Sequence, residues 1–291
     1  MEYAYFPGCT LYTKATHLDH AGRESAKKLG FELKELDKWT CCGASFPLVN
    51  DYHMGLASCS RVLADTKLAG YDKLVALCSV CFNVLKRTNY VLQHDEERRY
   101  KITEFIERDY HGEVNVVHYL EILKNEIGFD KIKENVEKPL KGLKVAVYYG
   151  CLLLRPHKEI QFDDPENPSI FENFMESLGA EPIYFPFKNE CCGAFQVMNN
   201  VDTANRCSKN IIDNAIKNGA DMIVTSCPLC QFNLDDRQKV LMEMYEDFKT
   251  IPVVYFTQLL GLAMGLDIDV LEFERNFVDP LPVLKEKSFI S

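Results

Sequence analysis

The chain has 291 residues, 47% hydrophobic and 26% charged, which suits a soluble globular protein long enough for two domains, each with its own core. No run approaches the roughly 20 apolar residues needed to span a bilayer, and MEYAYFPGCT lacks the basic and apolar regions of a secretory signal, so neither membrane insertion nor export is expected. A net charge of −10 argues against a general nucleic-acid binder, whose affinity rests on phosphate contacts from a basic face.

Taken in chain order, AYFPGC reads as a β-rich run ending at Cys9, and HLDHAGRESAKKLG as a helix with Gly30 at its C-cap. FELKEL is the next strand and leads into the turn Cys41–Cys42–Gly43. DYHMGLASCSRVLADTKLAG has apolar residues at helical spacing, DKLVALCS is a buried-type strand, and the CxxC of Cys78 and Cys81 opens another helix. VNVVHYLEIL follows as strand, then helix. Beyond a charged connection, DKIKENVEKPLKG, the same order restarts near Leu143. KVAVYYGC ends at Cys151, NPSIFENFMESLGA is helical up to Gly179, and EPIYFPF leads into Cys191–Cys192–Gly193. VDTANRCSKNIIDNAIKNGA, DMIVTSCP, the CxxC of Cys227 and Cys230, and IPVVYFTQLL complete the second series. This alternation predicts an α/β fold of two similar tandem domains, 1–140 and 141–291, each a mainly parallel sheet flanked by helices.

Ten of the twelve cysteines fall into the two repeated sets. Ligand sites in open α/β sheets collect beyond the carboxyl ends of the strands, so the five thiols of each half are expected to converge on one edge. An intracellular chain of this length is a poor candidate for a disulfide framework, which leaves metal or redox chemistry. Structural zinc usually takes four ligands, and a fifth thiolate per set points towards an iron–sulfur cluster, with zinc as the alternative. Neighbouring side chains diverge, so Cys41 and Cys42 would serve different metal atoms. Gly43 and Gly193 let the backbone pass close to the cluster. Cys59 and Cys207 fall in predicted helices, one residue out of alignment, and read as core residues. His17 and His20, at i and i+3, have no counterpart in the second half and read as a solvated or pocket-lining pair. There is no CxxCxxC ferredoxin run, so electrons would come from a partner.

These long-gap C…CCG…CxxC sets resemble the cysteine-rich CCG domain family, most closely its members in the heterodisulfide reductases of methanogenic archaea, where they form the B component. The resemblance runs from Tyr3 to about Leu260, and GCLLLRPHKEI and FDDPENPS look like the second domain of that component. One departure is a second CC-to-CxxC gap shorter by one residue. The resemblance implies that Cys9, Cys41, Cys42, Cys78 and Cys81 hold one noncubane 4Fe–4S cluster, and Cys151, Cys191, Cys192, Cys227 and Cys230 another. It also implies reduction of the mixed disulfide of coenzyme M and coenzyme B between the two. The implied partners are a ferredoxin-like iron–sulfur subunit and a flavin-containing subunit in a cytoplasmic complex with a hydrogenase or formate dehydrogenase. Both substrate halves are anionic, which makes Arg155, His157 and Lys158 candidate substrate contacts, with Lys14 and Lys188 as further choices. The rival readings are a CCG electron-transfer subunit of a lactate, glycolate, glycerol 3-phosphate or succinate oxidoreductase, and a zinc-stabilised scaffold subunit.

Overall fold

The computed structural model describes residues 1–44 and 53–290. Four parallel strands, β1 (Glu2–Phe6), β2 (Glu32–Glu35), β3 (Lys73–Ala76) and β4 (Asn115–His118), form a first sheet in the order β2-β1-β3-β4. A second sheet repeats it: β5 (Lys144–Tyr148), β6 (Glu181–Pro182), β7 (Met222–Thr225) and β8 (Val253–Tyr255), in the order β6-β5-β7-β8. The central strands β1, β3, β5 and β7 are mostly apolar because helices cover both faces, whereas the edge strand β2 (ELKE) is charged. The α/β architecture expected from the alternation is therefore present in both halves.

The strand order reverses between β1 and β3, and again between β5 and β7. At such a switch point the loops leave in opposite directions and open a crevice at the carboxyl ends. Cys9 follows β1 and Cys78 follows β3; Cys151 follows β5 and Cys227 follows β7.

Three elements are shorter than the sequence suggests. EPIYFPF pairs only over Glu181–Pro182, because Pro182 and Pro186 have no N–H to give a ladder on this edge strand. NPSIFENFMESLGA is helical over Ile170–Ser177 only; the Asp163 carboxylate accepts the N–H groups of Ser169 and Ile170 at 2.7 Å and sets the start. The charged connection is helical only at its beginning, Phe129–Glu134. The segment opening with DYHMGL forms a 3₁₀ turn, His53–Leu56, and then the helix Ala57–Leu68; Asp51 and Tyr52 lie outside the described residues.

The helices opened by the two CxxC motifs differ. The first runs unbroken over Ser79–His94. The second passes from an α-turn (Pro228–Gln231) through a π-turn (Phe232–Asp236), because Gln231 is one residue more than the first half has between its second CxxC cysteine and the following Phe-Asn. An inserted residue is commonly absorbed as such a bulge.

The buried apolar side chains form one cluster that continues through both halves. The helix Thr16–Lys28 packs along Phe256–Ala263, and Thr257 donates to the Leu18 carbonyl at 3.0 Å. Buried Asn83 also crosses over, donating to the carbonyls of Leu152 (2.7 Å) and Arg155 (2.8 Å) in the loop after Cys151. Leaving two partly buried carbonyls without donors costs about 1 kcal/mol each. Asn83→Ala should thus lower unfolding stability by about 2 kcal/mol or more in denaturant titration, whereas no change would mean the junction is held elsewhere. Among the described residues no helix is long and apolar enough to cross a membrane.

Candidate metal centres

In the first half the adjacent cysteines part company as expected from their divergence. Cys41 Sγ lies 3.5 Å from Cys9 Sγ, and Cys42 Sγ lies 3.6 Å from Cys81 Sγ. In the second half Cys192 Sγ stands 3.7 Å from Cys230 Sγ, and Cys151, Cys191, Cys192, Cys227 and Cys230 all line one cavity. All twelve cysteines are free thiols. Thiolates on one tetrahedral metal at about 2.3 Å sit at such separations, so the sulfurs come in metal-sized pairs. Among the described residues, however, no three Cys, His, Asp or Glu side chains surround a single point as one ion would require. Five thiols around one cavity exceed the four that a structural zinc site takes.

The backbone around each site supplies donors. Cys78 and Cys227 are extended N-cap residues, so the free N–H groups of the first helical turn open towards the sulfurs; Pro228 in that turn gives up none that would be used. The N–H groups of Gly43 and Gly193 approach the sulfurs of Cys41 (3.4 Å) and Cys191 (3.3 Å). These contacts polarise the thiols. The Cys81 thiol and then the Ala44 N–H bring Cys42 down to about 7. The Cys151 thiol, followed by the N–H groups of Gly193 and Ala194, brings Cys191 down to about 6. Cys227 is lowered first by Cys230 and then by the N–H groups of Cys230 and Leu229. Their partners Cys81, Cys151 and Cys230 are pushed up, because each keeps the shared proton. Metal ligation replaces such protons.

Close approach is built in with glycine. A Cβ on Gly8 (φ +73°) would lie 2.7 Å from Cys81 Sγ, and one on Gly150 (φ +64°) 3.1 Å from Cys230 Sγ. The ten thiols, their backbone donors and these bare approaches fit an iron–sulfur group in each half.

The two sites are neighbours. Ser79, next to Cys78, and Ser226, next to Cys227, share a buried 2.8 Å hydrogen bond, and Ser79 also lines the cavity of the second site. Tyr255 lies within electrostatic reach of both Cys78 and Cys227. His17 packs on that ring at 4.7 Å. It is buried with neither ring nitrogen partnered, and burial lowers its pKa to about 4, so it is not a solvated residue. His20 instead pairs with Glu272.

The five cations chosen on proximity to the cysteines serve different ends. Arg155 donates to the carbonyls of Asn189 (3.0 Å) and Pro165 (2.9 Å) and pairs with Glu166 (3.0 Å). Lys188 donates to the Pro168 carbonyl (2.6 Å) and pairs with Glu172 (2.8 Å). Both therefore clamp the FDDPENPS segment. His157 and Lys158 are exposed on the short helix His157–Ile160, with Lys158 over the Tyr90 ring at 5.6 Å. Lys14 is exposed in the turn after Cys9 and within electrostatic reach of Asp236.

Sequence reasoning missed a supporting layer. The Cys59 thiol donates to the Cys42 carbonyl at 3.5 Å, and in the second half Ser208 (3.5 Å) and Asn233 (2.9 Å) donate to the Cys192 carbonyl. Counting back from each CxxC places Cys59 opposite Ser208 rather than Cys207, and that alignment was the available signal. Cys59 is buried as expected, whereas Cys207 is half-exposed beside Gly193.

Comparison with known proteins agrees with this geometry. The CCG cysteine-rich domain model matches residues 3–86 and 145–235. The chain is 34% identical over 281 residues to the 8-methylmenaquinol:fumarate reductase membrane anchor subunit of Wolinella succinogenes, covering 96% of this chain and 97% of that one. It is 30% identical to the B component of the ferredoxin:CoB-CoM heterodisulfide reductase of Methanosarcina mazei (96% and 94% covered). It is equally identical to a protein of Archaeoglobus profundus that is like this B component (92% of each). A crystal structure of a hypothetical protein from Helicobacter pylori shares the fold, with a TM-score of 0.76 over 95% of this chain and 51% of that one, at 14% identity. Two matched segments, two identical strand orders and two five-cysteine sites lead to one assignment: the chain belongs to the CCG cysteine-rich domain family, among the iron–sulfur-associated subunits of multi-subunit reductases.

Proposed function

We propose that each five-cysteine set holds a noncubane 4Fe–4S cluster, and that the chain is the disulfide-reducing subunit of a cytoplasmic heterodisulfide reductase complex. The observation that carries this reading is the Ser79–Ser226 contact, which sets the two CxxC motifs side by side. Reduction of the coenzyme M–coenzyme B disulfide consumes two electrons and two protons, breaks one S–S bond and releases two thiols. When bound, the clusters supply one-electron chemistry beside each sulfur of that bond. The chain's own part is to hold the two sites adjacent, lower the thiols of Cys42, Cys191 and Cys227 through neighbouring thiols and backbone N–H donors, and present cations. His157, Lys158 and Lys14 are the exposed candidates for the anionic substrate; Arg155 and Lys188 act through the segment they clamp. The proposed partners are ferredoxin-like and flavin-containing subunits, with a hydrogenase or formate dehydrogenase.

A second reading is favoured by the 34% identity to a fumarate reductase subunit and by the engagement of Arg155 and Lys188 in the fold: an electron-transfer subunit of a succinate- or fumarate-type oxidoreductase. Anaerobic purification with metal analysis, then EPR after oxidation with and without coenzyme M or coenzyme B thiol, separates the readings. About four irons per set and a thiol-dependent signal are expected. Full iron without that signal would favour electron transfer alone, and one zinc per set would leave only a scaffold role.

A further inference from the structure

The two sites share a cysteine pattern but not an electrostatic setting. Beside the second lies Arg237, only 7% exposed, whose guanidinium donates to Asn205 Oδ1 (2.8 Å) and Asn233 Oδ1 (3.3 Å). Asn233 in turn donates to the Cys192 carbonyl at 2.9 Å, and the Cys192 sulfur lies within electrostatic reach of the guanidinium. Among the described residues no carboxylate forms an ion pair with Arg237. An interior guanidinium is tolerated only when something compensates its charge. Here the surroundings are two neutral amides and the Phe232 ring, 5.6 Å from Cζ, which soften the charge without cancelling it, so its field reaches the neighbouring thiols.

The first half offers the opposite. The counterpart of Arg237 is Arg87, half-buried and within reach of the Glu159 carboxylate. The Cys42 carbonyl, counterpart of that of Cys192, is held by the neutral Cys59 thiol. Tyr5, within electrostatic reach of Cys81, donates its hydroxyl to Asp19 at 2.5 Å, and Arg23 pairs with both Asp19 (2.9 Å) and Glu35 (2.7 Å). One cation against two carboxylates leaves that side net negative. One-electron reduction adds a negative charge to a cluster, so a nearby unpaired cation favours it and a net anionic neighbour opposes it. Cys151 is less exposed than Cys9, which works the other way, but one partly covered thiol in five is a weaker influence than a full interior charge. Glu190 beside Cys191 is exposed and screened by water.

Resting on the two-cluster reading, we propose that Arg237 makes the second five-cysteine site the more readily reduced of the two, so that a single electron entering the chain resides there. No bond forms or breaks in this step; the electron comes from an external one-electron donor, a reduced viologen in the test below.

The test is an anaerobic redox titration of the iron-loaded chain, followed by EPR and visible absorption, with iron and sulfide counted for every variant. The wild type should give two midpoints. In Arg237→Gln the more positive one should move to a more negative potential while the other stays, and Arg237→Lys should keep most of the wild-type value. Arg87→Gln should leave the more positive midpoint in place. If Arg237→Gln retains full iron and neither midpoint moves, or only the more negative one moves, the proposal is wrong. A second measurement leaves Arg237 intact. The double variant Cys191→Ser with Cys192→Ser should keep only the first site, and its remaining midpoint should be the more negative of the wild-type pair. Finding the more positive one there would overturn the proposal even if Arg237→Gln fails to fold. Absence of iron from the wild type would instead defeat the underlying two-cluster reading.

Discussion

If each set holds one cluster, as proposed, replacing Cys192 by alanine should remove about half of the bound iron and reduce the proposed disulfide reduction by more than about 100-fold. Cys192 is buried, its sulfur stands 3.7 Å from that of Cys230, and its carbonyl is fixed by Ser208 and Asn233. Losing a partner one layer out from a metal typically costs 10–100-fold, and losing a ligand costs more. On that reading the first set keeps its own five thiols, so its iron should remain. Cys207→Ala is the control: half-exposed and outside the cavity lining, Cys207 should be dispensable for iron content. Full iron in the Cys192 variant would show that this thiol is not a ligand. Equal loss in the Cys207 variant would show that iron content reports general damage.

The second large effect is expected from a single methyl group. Gly8→Ala places a Cβ 2.7 Å from Cys81 Sγ, on a residue whose φ of +73° already disfavours a side chain. The backbone conformation alone costs about 1–2 kcal/mol, and relief of the clash has to push Cys81 out of line. The first cluster should therefore be lost or fail to assemble, with circular dichroism showing a folded chain. Gly150→Ala, at 3.1 Å from Cys230 Sγ, should do the same to the second site more mildly. If Gly8→Ala retains both clusters with an unaltered absorption spectrum, the sulfur of Cys81 is not confined as the structure implies.

What could be read without coordinates follows from the range of the interactions involved. Apolar runs such as KLVA and MIVT announce buried strands, and a CxxC with extended backbone before it announces a helix start. The chain repeats both in order, so the duplicated sheet and the placement of cysteines at strand carboxyl ends were legible. EPIYFPF misled because its apolar content outweighed the two prolines, which remove the donors a ladder needs. The surroundings of the candidate cations were not legible, for a different reason. Nearness to Cys151 along the chain made Arg155 attractive, yet its guanidinium is committed to the carbonyls of Pro165 and Asn189.

By itself, then, the sequence determined the duplication, the α/β alternation and the two thiol-rich edges, because hydrophobic periodicity, caps and turns act within a few residues. Only the tertiary structure decided that Ser79 meets Ser226, that Asn83 spans the junction, and that Arg237 is buried without a carboxylate while Arg23 has two. Pairing and desolvation depend on groups far apart in the chain, and it is these that make two similar cysteine sets unequal.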